Sequence, residues 1–172
     1  MKTKISIISV ILILFSVVAF GQKNSVEDAN NTIAKFKKED PGISKFFNSA
    51  YGFAVFPAIG KGGLVVGGAG GKGTVYKGGS PVADVKMSQV TVGAQIGGQK
   101  YGEVIFFQNA ETYNEFVAGT YEFAAQISAV ALAEGVSKDA AYQDGLLVLT
   151  MSIGGLMAEV SAGGQKFKVT PY

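Results

Sequence analysis

The chain has 172 residues, fifteen lysines and thirteen acids, and no arginine, histidine, cysteine or tryptophan. Without His or Cys the usual ligands of zinc, haem and iron–sulfur clusters are missing, and neither a His-based triad nor a cysteine nucleophile can be built. Without Arg, bidentate recognition of phosphate or guanine is gone, leaving lysine point charges and a poor match to nucleic acid.

Met1-Lys2-Thr3-Lys4 is a basic n-region, Ile5 to Phe20 is an apolar run, and Ala19-Phe20-Gly21 places small residues where a signal peptidase reads. This predicts a signal peptide over 1–21, cleaved before Gln22, because the run falls short of the roughly 20 apolar residues that span a bilayer. The mature protein is expected to be secreted or periplasmic, a single domain over 22–172 that is stable without disulfides. Loss of Lys2 and Lys4 leaves thirteen lysines facing thirteen acids. They are unevenly placed: ten lysines and five acids from Gln22 to Gly102, three lysines and eight acids from Glu103 to Tyr172. Such polarity orients a molecule at a charged surface.

Ser25-Val26-Glu27-Asp28 is a capping-box pattern, and Val26, Ala29, Ile33 and Phe36 repeat at helical spacing. Asp40-Pro41 reads as N-cap and first residue of a second short helix ending near Gly52. The period then becomes two. Phe53 to Phe56, Leu64 to Val66 and Thr74 to Tyr76 read as short strands separated by glycine pairs and Pro57. Further strands are expected over Val82 to Met87 and Val90 to Ile96, with a hairpin turn at Gly97-Gly98 and a return strand at Val104 to Phe107. Asn109 caps a third helix that Gly119 stops. Residues 122–132 suit helix by composition and strand by alternation; strand is favoured. Asp144-Gly145, Gly154-Gly155 and Gly163-Gly164 punctuate a closing β-meander. The expected class is α+β: an antiparallel sandwich or partly closed barrel of short Gly-rich strands, two N-terminal helices over 25–50, a β-rich body over 52–170, and one helix near 109–118.

Eleven glycines fall between Gly52 and Gly79, and Gly68 to Gly73 even fits G-x-G-x-x-G. The context contradicts a nucleotide loop: Thr74-Val75-Tyr76 reads as strand where a helix should start, and Gly73 follows Lys72 where a P-loop needs Ser or Thr. Glu111 and Glu115 are four apart on a helix, which suits a solvated polar face better than an acid–base pair. No nucleophile elbow or S-x-x-K pattern occurs. No catalysis, cofactor, metal or nucleotide is expected.

The first helix pairs its apolar stripe with lysines on the opposite and flanking sides, a pattern compatible with a lipid interface. Lys61, Lys72 and Lys77 punctuate the glycine turns, whose N–H groups make low-specificity phosphate sites. The same stripe packs equally well on a sheet, so an envelope structural or protein-interaction domain without a lipid ligand stays open.

Ala50 to Pro57 (AYGFAVFP), Gly60-Lys61-Gly62-Gly63, Gly70 to Gly73, Gly97-Gly98-Gln99 with Ile105 to Phe107, and Gly154 to Met157 through Gly163 to Phe167 occur in that order. Over about Ala50 to Val169 the chain resembles the SYLF domain, a lipid-binding domain of bacterial envelope proteins and of eukaryotic actin-patch and endosomal proteins. The resemblance implies non-catalytic binding of anionic phospholipids, phosphoinositides in eukaryotic members. It places lipid contact on Lys35, Lys37, Lys38 and Lys45 near the N-terminus, with Lys61 and Lys72 in the glycine segment. The expected partner is an anionic membrane surface to which the protein is peripheral; actin is not expected for an exported chain.

Overall fold

The computed structural model describes residues 25–64, 66–119, 129–162 and 164–172. The expected leader over 1–21 lies outside them, as does most of the segment 122–132. Helix α1 spans Ser25–Glu39, with Glu27 and Asp28 in its first turn and Lys37 and Lys38 in its last, complementing the helix dipole. Asp40 and Pro41 restart the chain as a 3-10 turn, Pro41–Ile43, followed by α2, Ser44–Ser49. The Asp40 carboxylate accepts from the Gly42 N–H at 3.0 Å and from the Ser137 N–H at 2.7 Å, tying two distant turns together. Those bonds, the one from Ser137 foremost, hold its carboxyl below the usual range.

Six strands follow: β1 Gly52–Gly63, β2 Val66–Lys77, β3 Ser80–Phe107, β4 Val130–Ala131, β5 Leu146–Ala162 and β6 Gln165–Pro171. Helix α3, Ala110–Ala118, lies between β3 and β4; the Asn109 side chain caps it and Gly119 closes it in the left-handed conformation. All the strand pairs are antiparallel except β4 with β5. β3 runs beside β2 from Ser80 to Val92, turns back around the tip of the β1–β2 hairpin, and descends beside β1 from Gly97 to Phe107. β5 and β6 follow it round on the outside. At the end of the sheet away from this apex, called the base below, the strand order is therefore β6, first half of β3, β2, β1, second half of β3, β5, β4.

The sheet is open and strongly curled. Phe56 on β1 and Phe167 on β6 are three strands apart, yet their rings lie 5.8 Å from centroid to centroid. Flat, that separation is about 14 Å at the normal strand spacing. The inner, concave face gathers Phe56, Ile59, Val85, Met87, Ile105 and Phe107 beneath α3, which contributes Tyr113 and Phe116. The outer face packs Phe53, Val55, Tyr76, Val104 and Phe106 against α1, the 3-10 turn and α2 through Phe36, Ile43 and Phe46. Two covered faces explain why Phe53 to Phe56 and Val104 to Phe107 are apolar at every position instead of every second one.

The α+β class, the open barrel-like sheet, the Asp40–Pro41 restart and the Asn109 to Gly119 helix agree with the sequence. The strands are not short. Gly97-Gly98 and Gly154-Gly155 lie within β3 and β5 and are not two-residue turns. Gly97 takes φ 117°, which lets β3 bend while staying paired on both sides. Val66 to Lys77 is likewise one strand, with only residues 64 and 65 separating it from β1. Gly73 sits where β1 bulges between Val55 and Ala58; a Cβ there would overlap the Val55 carbonyl oxygen and lie 2.8 Å from Phe56 Cδ1.

Candidate functional site

Period two decides which side chains share a face. Val75 on β2, Val85 and Met87 on β3, and Phe167 and Val169 on β6 belong to the inner core, so their neighbours point outward. Register then sets Lys72 directly opposite Lys86, and Lys86 directly opposite Lys168. Lys166, two residues along β6, faces Ser88. Directly paired residues have Cα atoms about 5 Å apart, so three ammonium groups stand in a row across three strands with a fourth beside them. These four lysines, with Ser88 and the backbone of Gly71, Met87 and Phe167, wall an open groove of about 500 Å³. All four are exposed, and among the described residues none forms an ion pair.

Like charges set directly across strands cost roughly 0.2–1 kcal/mol per pair. Within two residues of these lysines along β2, β3 and β6 stands one acid, Asp84 on β3, whose Oδ1 already accepts from the Ser25 hydroxyl and the Tyr172 hydroxyl, each at 3.2 Å. A second shallow groove of about 550 Å³ lies on the far limb of β3, around Lys100, with Gly60 and Gly154 opposite it in the neighbouring strands. Both grooves are open and shallow, and the lysines spread positive charge over a broad area of this face.

The structure divides the six lysines expected from the sequence. Lys72 is part of the row. Lys61 pairs with Gln99 on the inner side of the curled sheet. Lys37 stacks over Phe47 at 5.0 Å, and Lys45 sits over Phe46 at 4.8 Å while donating to the Ser137 carbonyl. Lys35 and Lys38 are exposed on α1. Helical spacing puts Lys35 on the flank that also carries Asp28 and Glu39. The apolar stripe of α1 is core: Ala29 and Phe36 are fully buried, and Ile33 packs beside them. It is therefore not free to lie in a lipid interface in this conformation.

Lys86, Lys166 and Lys168 went unrecognised in the sequence, although alternation signals them. In Val85-Lys86-Met87 and Lys166-Phe167-Lys168-Val169 each lysine alternates with a core residue. Glu103 was missed too. It is buried on the inner face, where its Oε2 accepts from Gln165 Nε2 at 3.3 Å and its Oε1 has no partner among the described residues. Burial pushes its carboxyl up to about 7. Gly68 to Gly73 is plain strand, not a strand–loop–helix phosphate cradle. Glu111 and Glu115 are both on the exposed side of α3.

The fold and the lysine face thus define a mixed α+β domain with an open, curled sheet that presents a cationic outer surface. No family model matches the chain. Among curated proteins it is 27% identical over 140 residues to Beta cell expansion factor A of Aeromonas veronii, an overlap covering 81% of this chain and 53% of that protein. The chain spans about half the length of this curated relative.

Proposed function

We propose that this chain is a SYLF-type domain that binds anionic phospholipid surfaces without catalysis, outside the cytoplasm and peripheral to the membrane, and that the outer sheet face carries the attraction. The observation behind this reading is the row Lys72, Lys86, Lys168: three like charges set opposite one another with no ion-pair partner among the described residues. The row repels itself when bare and is stabilised by phosphates laid across it. A membrane supplies many phosphates in one plane, which suits an open groove better than an isolated anion does. The order of the glycine motifs along the chain supports the family part of the reading.

Each lysine close to an anionic surface is worth about 1 kcal/mol, so the four of this face supply roughly 4 kcal/mol. Cosedimentation with phosphatidylcholine vesicles, with and without phosphatidylglycerol, tests the reading. Binding is expected only to the anionic vesicles and is lost as salt rises. Lys86→Gln with Lys168→Gln weakens it about thirtyfold. Lys35→Gln with Lys38→Gln weakens it less, because Asp28 and Glu39 offset that helix. Equal recovery on neutral and anionic vesicles overturns the proposal.

A further inference from the structure

Past the lysines, the same strands end in an apolar surface open to solvent. Val66, Val90, Val92 and Ile96 are 61–69% exposed, Leu64 at the hairpin tip is 64% exposed, and Ile153 is 50% exposed. Val66 and Val92 are direct partners on the outer face, and Val90 is two residues back along β3. Several inward positions of β1 and β3 between them are polar. Gln89 and Thr91 alternate with Val90 and Val92, and Lys61 and Gln99 pair on the other limb. Apolar-out, polar-in alternation is the pattern of strands that face lipid on one side and water on the other.

Two further observations fit the acyl region of a bilayer. Backbone groups in lipid must be paired, and here β3 is laddered to β5 without a gap from Val92 to Lys100 and to the β1–β2 hairpin up to Val92 and again from Gly97, with 93–96 paired on the β5 side alone. Charge is also sorted along β1, β2, β3 and β6, whose segments 60–73, 86–102 and 164–168 contain six lysines and no acid; the apical part of β5 carries one acid, Glu159, opposite Gln95. From Lys86 to Val92 is six residues, or about 20 Å of strand, and on the other limb from Lys100 to Ile96 is four residues, or about 13 Å. One hydrocarbon leaflet is about 15 Å deep, and a spanning strand needs about 9–11 tilted residues. The apex matches one leaflet and is too short for two.

We infer that the apex, carrying Leu64, Val66, Val90, Val92 and Ile96, is a wedge that sinks into one leaflet of an anionic bilayer while the lysines behind it hold the headgroups. This rests on the surface-binding reading above and adds a depth to it. The occupant is a bilayer because the cationic collar and the apolar tip follow one another along the same strands, in the order of headgroup and acyl chain.

The chain has no cysteine, so one introduced thiol is unique. Val92→Cys at the apex and Ser80→Cys at the base of the same limb of β3 are each labelled with an environment-sensitive fluorophore. Both positions are exposed, so folding does not depend on them. Protein purified from cells expressing the full chain is mixed with phosphatidylcholine–phosphatidylglycerol vesicles, with and without acyl-chain-brominated lipid. Insertion gives a blue shift and bromine quenching at position 92 and neither at position 80. Cosedimentation with an aqueous label at 92 overturns the wedge and leaves surface binding standing. Failure to cosediment overturns both. A label at 92 that is already apolar without vesicles assigns the patch to a second copy or another segment of this chain, and also overturns the wedge.

Discussion

The base and the apex of this sheet are built from the same strands and obey opposite rules. At the base, β1 and the second half of β3 are apolar at consecutive positions because helices cover one face and the curled sheet covers the other. At the apex the same strands turn to glycine, lysine and exposed valine, and pairing persists without packing on the outer face. Pairing with β5 carries β3 around its bend, while side-chain burial at the base holds the molecule together. Stability and surface chemistry are segregated along the strands, not between domains.

Truncating one side chain at each end is the sharpest way to break that contrast. Phe106 is fully buried and meets the rings of Phe46, Phe47 and Phe53 at 5.7, 4.8 and 6.1 Å. Phe106→Ala is expected to cost about 3–5 kcal/mol in urea unfolding. A cost under about 1 kcal/mol would mean the outer core is not the stabilising one.

A smaller effect, sensitive to pH, comes from the inner face. Glu103 has its carboxyl raised from 4.5 to about 7, so the folded state holds a proton that the unfolded state releases. The associated stability is full below the ordinary carboxylate value and lost as pH rises through about 7. Above that, the ionised group costs about 3 kcal/mol relative to acid conditions. Unfolding of the parent and of Glu103→Gln at pH 4 and pH 8 should show the variant gaining on the parent by about that amount at the higher pH. Parallel pH profiles would remove Glu103 from the account.

The smallest expected effect is at the apex, where Val92→Ala changes stability by less than about 0.5 kcal/mol because its side chain packs on little. A larger loss would show that the apex is covered in solution.

Much of the base was legible in the sequence and much of the apex was not. Ser25, Asp40-Pro41, Asn109 and Gly119 mark element ends by local chemistry, which acts over a few residues and needs no knowledge of the rest of the fold. Alternation in Val85-Lys86-Met87 marks a strand with lysine on one face. What it does not contain is the partner: Lys72, Lys86 and Lys168 become neighbours through register between β2, β3 and β6, which are remote in sequence. Gly97-Gly98 misleads for a related reason. Glycine permits both a tight reversal and a paired bend, and the choice is made by β1 and β5, which ladder the strand on either side. The α1 stripe was correctly periodic, but periodicity does not say whether lipid or a sheet receives it; Phe36 and Ala29 answer that by being buried.

The long course of β3 also governs how the molecule assembles. It is the partner of β1, β2, β5 and β6, and its last pairings join Val92 to Ala162 and Ala83 to Pro171. Only the β1–β2 and β2–β3 hairpins close over short stretches of chain; the rest are distant contacts, the kind that make folding slow. Until β5 and β6 arrive, the outer edge of β3 stands unpaired, a template for another molecule's strand. A chain stopped at residue 164 keeps its hairpins but leaves Glu103 without Gln165 and the first half of β3 with an open edge. Strand β6 covers that edge and leaves in its place one that carries Lys166 and Lys168, the kind of charge that blunts an exposed edge.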